Sequence, residues 1–577
     1  MASYWSQAAS RRRTSRRRFL IGSAGFSAAF LAACGGSSNT TKPAAPATGA
    51  ATRPPGAPST PNIAATAQTG GSQITASTAA AGGAQPKTGG TLRVGYSVDP
   101  TSLDPHLGTS GGDHAFMYPI YDPLVGYDQK GNLDPSLSLA QQWEQPDPKT
   151  ITLTLRTGIK FHDGSDFDAA AVKFNIDRVL DPNNHATPRS DLASIDSVET
   201  PDASHAVLHL KTPSAPLLTN FGDRGGMIVS STAVNKLGKD NYGRQPSGTG
   251  PFVMKQWVTD TSLIYDRNPS YWRKDSAGRQ LPYLQQIQLK AIPDATVRLA
   301  TFEQGDTDIS DAPVTEVKRL QADKRYQYTL FVGSSTGMVY INHTFPPFDN
   351  LMFRRAFSAA LDRQNYIQNF LLGQEPQATG ILTPADWAYD PTIKNYLYSP
   401  DDVKAFLQQS GLPQSQWRVK LQPFTSPISD GEQFWQKSLA DNGIQVDWAT
   451  PEVNGWAKHV LKGLGGDGST AGYFSAFSLR VDPDGIIGQF YTQNGAYNAG
   501  QAPCPDTEDL VVQARQSYDQ NERKKLYSQI QALGVQDQYS ATLLYYSIAL
   551  IFSAAKVGNF SAYYGGEGKA HYGNLWV

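Results

Sequence analysis

The stretch of 54 residues from Gly35 to Thr88 sets the limits of what this chain can fold. It is built of Gly, Ala, Pro, Thr, Ser and Gln, with no aromatic residue, only Lys42, Arg53 and Lys87 as charges, and Ile63 and Ile74 as isolated large aliphatic side chains. Such a composition cannot bury enough apolar surface to offset the entropy of ordering its backbone. It reads as a disordered leash with a reach on the order of 40 Å. Folding is left to Gly89 through Val577, which is too long for one core because cores stop growing near roughly 250–300 residues. Two or more packed units are expected.

What precedes the leash reads as an address. Six arginines lie between Arg11 and Arg18, and Ser15-Arg16-Arg17-Arg18-Phe19-Leu20 fits the twin-arginine export pattern. The apolar run Ile21 to Ala33 is thirteen residues long, short of the roughly twenty that a spanning helix needs and right for a signal-peptide core. Leu31-Ala32-Ala33-Cys34 has the form of a lipoprotein box, so residues 1–33 are expected to be removed and Cys34 to carry lipid, beginning a lipidated linker over 34–88. With Cys34 modified, Cys504 has no partner for an intramolecular disulfide. The protein is thus expected outside the cytoplasm, anchored to the cell membrane and held together by its core.

The whole chain has 50 basic and 51 acidic residues, but the leader holds six Arg and no acid, which leaves 50 − 6 = 44 against 51, or −7, for the rest. That sign argues against nucleic acid as a partner, because phosphate backbones demand clustered Lys and Arg. Thr91–Ser97 and Ile151–Phe161 alternate as strands do, Asp168–Leu180 has one apolar helical face, and Asp349–Gly373 reads as one long amphipathic helix. Irregular alternation of strands and helices gives an α/β class with mixed sheets.

Catalytic signatures are missing: there is no zinc-protease motif, Walker loop, nucleophile elbow or cysteine-rich metal pattern. Lys462–Gly468 (KGLGGDG) has Gly-x-Gly-x-x-Gly spacing, but a helical pattern precedes it and a strand pattern follows, the reverse of what a dinucleotide site needs. His205 and His209 share a strand face yet stand too far apart to hold one metal, and His162-Asp163 are neighbours that point apart. No catalytic residue, metal or cofactor is expected, although an exported hydrolase remains an alternative.

From about Gly89 to Val577 the chain resembles the extracellular solute-binding proteins of family 5, the dipeptide- and oligopeptide-binding components of ABC importers. The resemblance is carried in order by Gly90-Thr-Leu-Arg, Ser102-Leu-Asp-Pro-His106, Leu155-Arg-Thr-Gly-Ile-Lys-Phe-His-Asp-Gly164, Gly248-Thr-Gly-Pro-Phe252, Asn268-Pro-Ser-Tyr-Trp272, Arg354-Arg-Ala-Phe-Ser-Ala-Ala-Leu-Asp-Arg363 and Asp482-Pro483. It implies a type II periplasmic-binding-protein fold of the cluster C kind, with two lobes, a hinge and an inserted subdomain. The lobes would be 89–327 plus 546–577, with the insert near 120–225, and 328–545. It also implies a monomer that traps a small organic solute, peptide-like by preference, and hands it to the transmembrane subunits of an ABC permease.

By the same resemblance Thr109, Ser110 and Gly111 would pair with an extended ligand backbone, and Trp456 would line the cleft, with Tyr473, Phe477, Tyr497 and Asn498 in neighbouring segments. The sequence departs from the peptide binders at one place. Where they carry Trp-x-x-Asp-Tyr, whose aspartate pairs with a ligand ammonium, this chain reads Ala476-Phe477-Ser478-Leu479-Arg480, so Leu479 takes the aspartate's place and a cation follows. Leu479 and Arg480 therefore open an alternative reading, a receptor for an oligosaccharide, opine or anionic solute.

Overall fold

The computed structural model describes residues 74–76, 85–424, 428–452, 455–538, 540–565 and 569–577; the leader, Cys34 and most of the leash lie outside the described residues. Two long antiparallel strands, Tyr326–Ile341 and Ala541–Ala554, organise the rest. Their register runs from Tyr326 opposite Ala554 to Val332 opposite Ile548, breaks, and resumes at Ser335 opposite Ser547. Gly333 sits at the break with φ +76°, and a Cβ there would lie 2.7 Å from Thr383 Oγ1, so both backbone and space demand glycine.

The break divides what the two strands touch. On one side Ala541–Ala554 pairs with Ile309–Ser310, and the sheet continues through Thr91–Tyr96, Gln286–Ala291, Ser262–Arg267 and Phe252–Val258. On the other side Ser335–Ile341 pairs with Gly472–Ser478, followed by Arg418–Leu421 and Gln445–Trp448. Parallel and antiparallel pairs mix in this sheet, which has eleven strands among the described residues, as the expected α/β class requires. One apolar cluster, with Leu92, Val94, Leu263 and Leu289, serves the first side, and others, with Tyr340, Phe477 and Phe490 or with Phe357 and Trp435, serve the second.

A separate four-stranded sheet, Ala140–Asp147, Thr150–Leu155, His205–Leu210 and Ile195–Asp202 in that spatial order, is antiparallel throughout. Helix Ala169–Leu180 covers it with Ala171, Val172, Ile176 and Val179, and begins where Asp168 accepts the Ala171 N–H at 2.9 Å.

Three local readings need correction. Asp349–Gly373 is two helices, Leu351–Ala359 and Arg363–Phe370. Asp362 caps the second by accepting the Asn365 N–H, while the buried Arg363 guanidinium donates to the Ser358 and Leu361 carbonyls across the break. Ile151–Phe161 stays extended only within Thr150–Leu155, because Gly158 at φ +75° turns the chain. Inside the leash, Ile74–Ala76 forms a short strand against Thr329–Phe331, at the one place in that stretch where a β-branched Ile-Thr pair occurs.

Candidate functional site

A cleft with a cavity volume of about 130 Å³ opens at the break between the two long strands. Its floor is the break itself, with Ser334, Ser335, Ser547 and Ile548; Tyr96, Ser97 and Ser310 reach it from the first side, Ala476 from the second. Phenol rings of Tyr545, Tyr563 and Tyr564 wall it, and Gly111 and Gly112 bring bare backbone to its edge. Few, fixed polar groups among apolar and aromatic walls are what orient a small solute. Asp311, His114 and Lys569 line it as well. Asp311 is held by the buried Arg298 guanidinium, at 2.5 Å to Nε and 3.1 Å to Nη2, and Lys569 pairs with Asp223 at 2.9 Å.

Beside the cleft the two sides meet through polar contacts. Tyr497 donates its hydroxyl to the Thr109 carbonyl at 3.2 Å, Gln489 Nε2 donates to Asp191 Oδ1 at 2.6 Å, and Ala215 N–H donates to the Arg515 carbonyl at 2.7 Å. Arg480 Nε lies 3.3 Å from Asp223 Oδ2, and its guanidinium stacks 4.7 Å from the Phe477 ring centre. Burial opposes a charge on Asp223, yet the Lys569 ammonium, His114 and Arg480 around it hold its carboxyl well below the usual range. Burial raises Asp191 to about 7 against the pull of Arg480. The His114 ring lies 2.6 Å from Asp223 Oδ1 and 2.9 Å from the Gly111 carbonyl. Burial, and then the Lys569 ammonium, push His114 down to about 3, although both ring nitrogens face acceptors that would favour the imidazolium.

The residues singled out from the sequence fall into three groups. Thr109, Ser110 and Gly111 lie at the junction: Ser110 caps the turn by accepting the Gly112 N–H, its carbonyl accepts from Arg224 Nη2, and a Cβ on Gly111 would lie 2.9 Å from Ser478 Oγ. Phe477, Arg480 and Tyr497 lie at the junction from the other side, and Leu479 packs its side chain into the apolar cluster of the first side while its N–H donates to the Ser334 carbonyl. Trp456 and Tyr473 stack on one another, ring centres 5.4 Å apart, and Tyr473 stacks on Tyr340 at 4.4 Å, a nearly closed aromatic column. Asn498 is wholly buried and donates to the Thr492 and Ala502 carbonyls, so its amide shapes its own loop and presents no surface to the cleft.

Residues 134–526, well over half of the chain, match the family described as Bacterial extracellular solute-binding proteins, family 5 Middle. The chain belongs to that family. This solute-binding protein is 27% identical over 466 residues to Heme-binding protein A of Haemophilus influenzae, covering 75% of this chain and 83% of that one. Its fold matches DppA, an ABC transporter-associated periplasmic binding protein from Helicobacter pylori in complex with peptide STSA, with a TM-score of 0.75 at 24% identity over 85% of this chain and 98% of that one. AgaA of A. tumefaciens R10, in complex with agropinic acid, matches as well: TM-score 0.75, 24% identity, 85% and 99% coverage. The solutes named for these three relatives differ in chemistry.

Sequence reasoning passed over Asp223, Lys569, His114, Asp191 and Gln489. Asp223 sits in Phe221-Gly-Asp-Arg-Gly-Gly226, a run of small and polar residues that reads as an ordinary loop. Nothing local marks it, since its partners lie 109 residues before it and 346 after.

Proposed function

We propose that this protein is the lipid-anchored receptor of an ABC importer, which closes on a small organic solute and presents it to the permease. Family membership supplies the binding-protein role, and one observation carries the mechanism: the cleft opens where the two long strands lose register at Gly333 and where both sides contribute lining. A strand break of this kind is a place where two halves can turn on each other around a ligand. On this reading the halves are 89–327 with 546–577, carrying the four-stranded insert within 120–225, and 328–545; the crossing point itself lies at Gly333 and at Ser547. Cys34 carries the lipid, and the leash lets the folded body reach the membrane partner.

A peptide-like solute is favoured by Gly111 and Gly112, which bring backbone without side chains to the edge of the cleft. A second reading, a neutral or anionic solute such as an opine, is supported by Leu479, buried where a ligand-binding carboxylate would otherwise stand, and by Arg480 next to it. The test is mass spectrometry of the small molecules released by denaturing protein purified natively from its own cell envelope. A stoichiometric small organic molecule, chemically intact, is the expected result. No released molecule, together with no cleft ligand taken up from a whole-cell extract, would refute the receptor role.

A further inference from the structure

Solute-binding proteins of two halves need something to hold the closed form, and at this junction the protein supplies the charges itself. Arg480 leaves the end of strand Gly472–Ser478 with its guanidinium fixed on three sides: Nη1 donates to the Ser478 and Leu479 carbonyls at 3.2 and 3.3 Å, and its face lies on Phe477. The remaining side points across to Asp223, at 3.3 Å. Asp223 is equally fixed on its own half, where it caps the turn Arg224–Gly226 by accepting the Arg224 N–H at 2.8 Å and takes His114 on Oδ1 and Lys569 on Oδ2. Both partners are held by their surroundings before they meet and both are largely withdrawn from water, so losing either one would leave the other charge buried without its partner across the junction.

The other carboxylates around the junction are engaged as well. Asp113 accepts from the Thr101 N–H and hydroxyl at 2.8 and 2.6 Å and lies 3.9 Å from Arg224. Asp191 accepts from Gln489, Asp311 from Arg298, and Asp484 from Arg515 at 2.8 Å. Each of these carboxylates already has at least one donor, and an ammonium brought into this junction would meet the Arg480 and Arg224 guanidiniums.

We propose that Arg480 is a positioning residue that closes the two halves on Asp223 from within the protein, so that the solute contributes no ammonium to the junction. The first part stands on the ion pair alone; the second rests on the solute-binding reading above. The class of solute this selects is neutral or anionic at the end that faces Lys569 and Gly111.

Hydrogen exchange read by mass spectrometry on the full chain tests both parts. The reporter is the Ala215 N–H, whose acceptor is the Arg515 carbonyl on the opposite half, and the fold control is strand Gln286–Ala291. Arg480→Gln should speed exchange at Ala215 about tenfold or more, the size of an ordinary coupling between two states, and leave the control strand unchanged. Asp223→Asn should do the same, the double variant should add nothing further, and Arg480→Lys should restore part of the protection. Unchanged exchange at Ala215 in Arg480→Gln overturns the proposal, and so does equal acceleration in the control strand, which would mark a residue of general stability. For the second part the probes are trialanine and N-acetyl-trialanine at millimolar concentration. Whatever protection trialanine gives Ala215, the acetylated form should match or exceed. Loss of about tenfold in protection on acetylation would show that an ammonium does join the halves. Failure to recover any native solute would refute the receptor role while leaving the variant comparison at Ala215 to decide the ion pair.

Discussion

Replacing Glu375 with Gln should make the protein more stable in base and leave it unchanged in acid. Glu375 is buried, and its Oε1 accepts the Ile548 N–H at 3.1 Å, next to the break in the long strands, while Oε2 finds no partner among the described residues. Burial raises its pKa from 4.5 to about 8, opposed only by that backbone bond. The folded chain therefore holds this proton across a range where the unfolded chain has lost it. Stability is complete below pH 4.5, falls as pH climbs from 4.5, and is fully forfeited above about pH 8. A rise from 4.5 to about 8 is 3.5 units, which at 1.36 kcal/mol per unit sets the loss on the order of 5 kcal/mol. Glu375→Gln keeps the acceptor for Ile548 and cannot ionise. Urea unfolding of both proteins at pH 5.0 and pH 8.5, followed by intrinsic fluorescence, should show near-equal midpoints at the lower pH and a clearly higher midpoint for the variant at the upper. Comparing the two proteins at each pH removes the contribution of Asp386, which burial also raises to about 8. A variant that loses the same stability as the parent between the two pH values would refute the reasoning, because it would mean that Glu375 is solvated or paired when folded.

Gly111→Ala should open the junction, since the new Cβ would press on Ser478 Oγ at 2.9 Å; the expected result is faster exchange at Ala215 with unchanged thermal stability, and a stable, fully protected variant would count against the contact. Trp456→Ala removes a ring stacked on Tyr473 and buried to 8% exposure, so about 3–5 kcal/mol of unfolding free energy should be lost; a variant that unfolds normally in urea but no longer retains solute would assign the ring to the cleft instead. Cys34→Ser should release the protein from membranes into the soluble fraction and abolish incorporation of radiolabelled palmitate; continued membrane association after salt washing would disprove the lipid anchor.

The parts of this molecule that were legible in the sequence are those whose physics is local. The helix Ala169–Leu180 was visible because its cap and its apolar face lie within one dozen residues, and Thr91–Tyr96 because a strand announces itself by alternation. The helix break at Ala360–Asp362 was hidden, because Asp362 serves equally well as a surface residue of a long helix until its cap bond to Asn365 is seen. The two long strands were the hardest case. Tyr326–Ile341 holds Gly333, Ser334, Ser335 and Gly337 in its middle, a composition that argues for a loop, and its partner lies more than 200 residues away. Only pairing of that long range makes a strand of it, and the small residues that spoil the local signal are the ones that free the break to bend.

The same logic bears on specificity. Leu479 and Arg480 could be singled out as a departure from peptide binders, but their consequence depends on Asp223, an unremarkable loop residue 257 positions away by their numbering, 480 − 223. A leucine alone would simply remove a ligand contact. On the proposal above, Arg480 beside it and Asp223 opposite place within the protein the charge pair that joins the halves. On the same proposal closure depends less on a charge carried by the solute, and the cleft lining, five serines and four tyrosines beside Asp311, His114 and Lys569, offers hydrogen bonds that orient it.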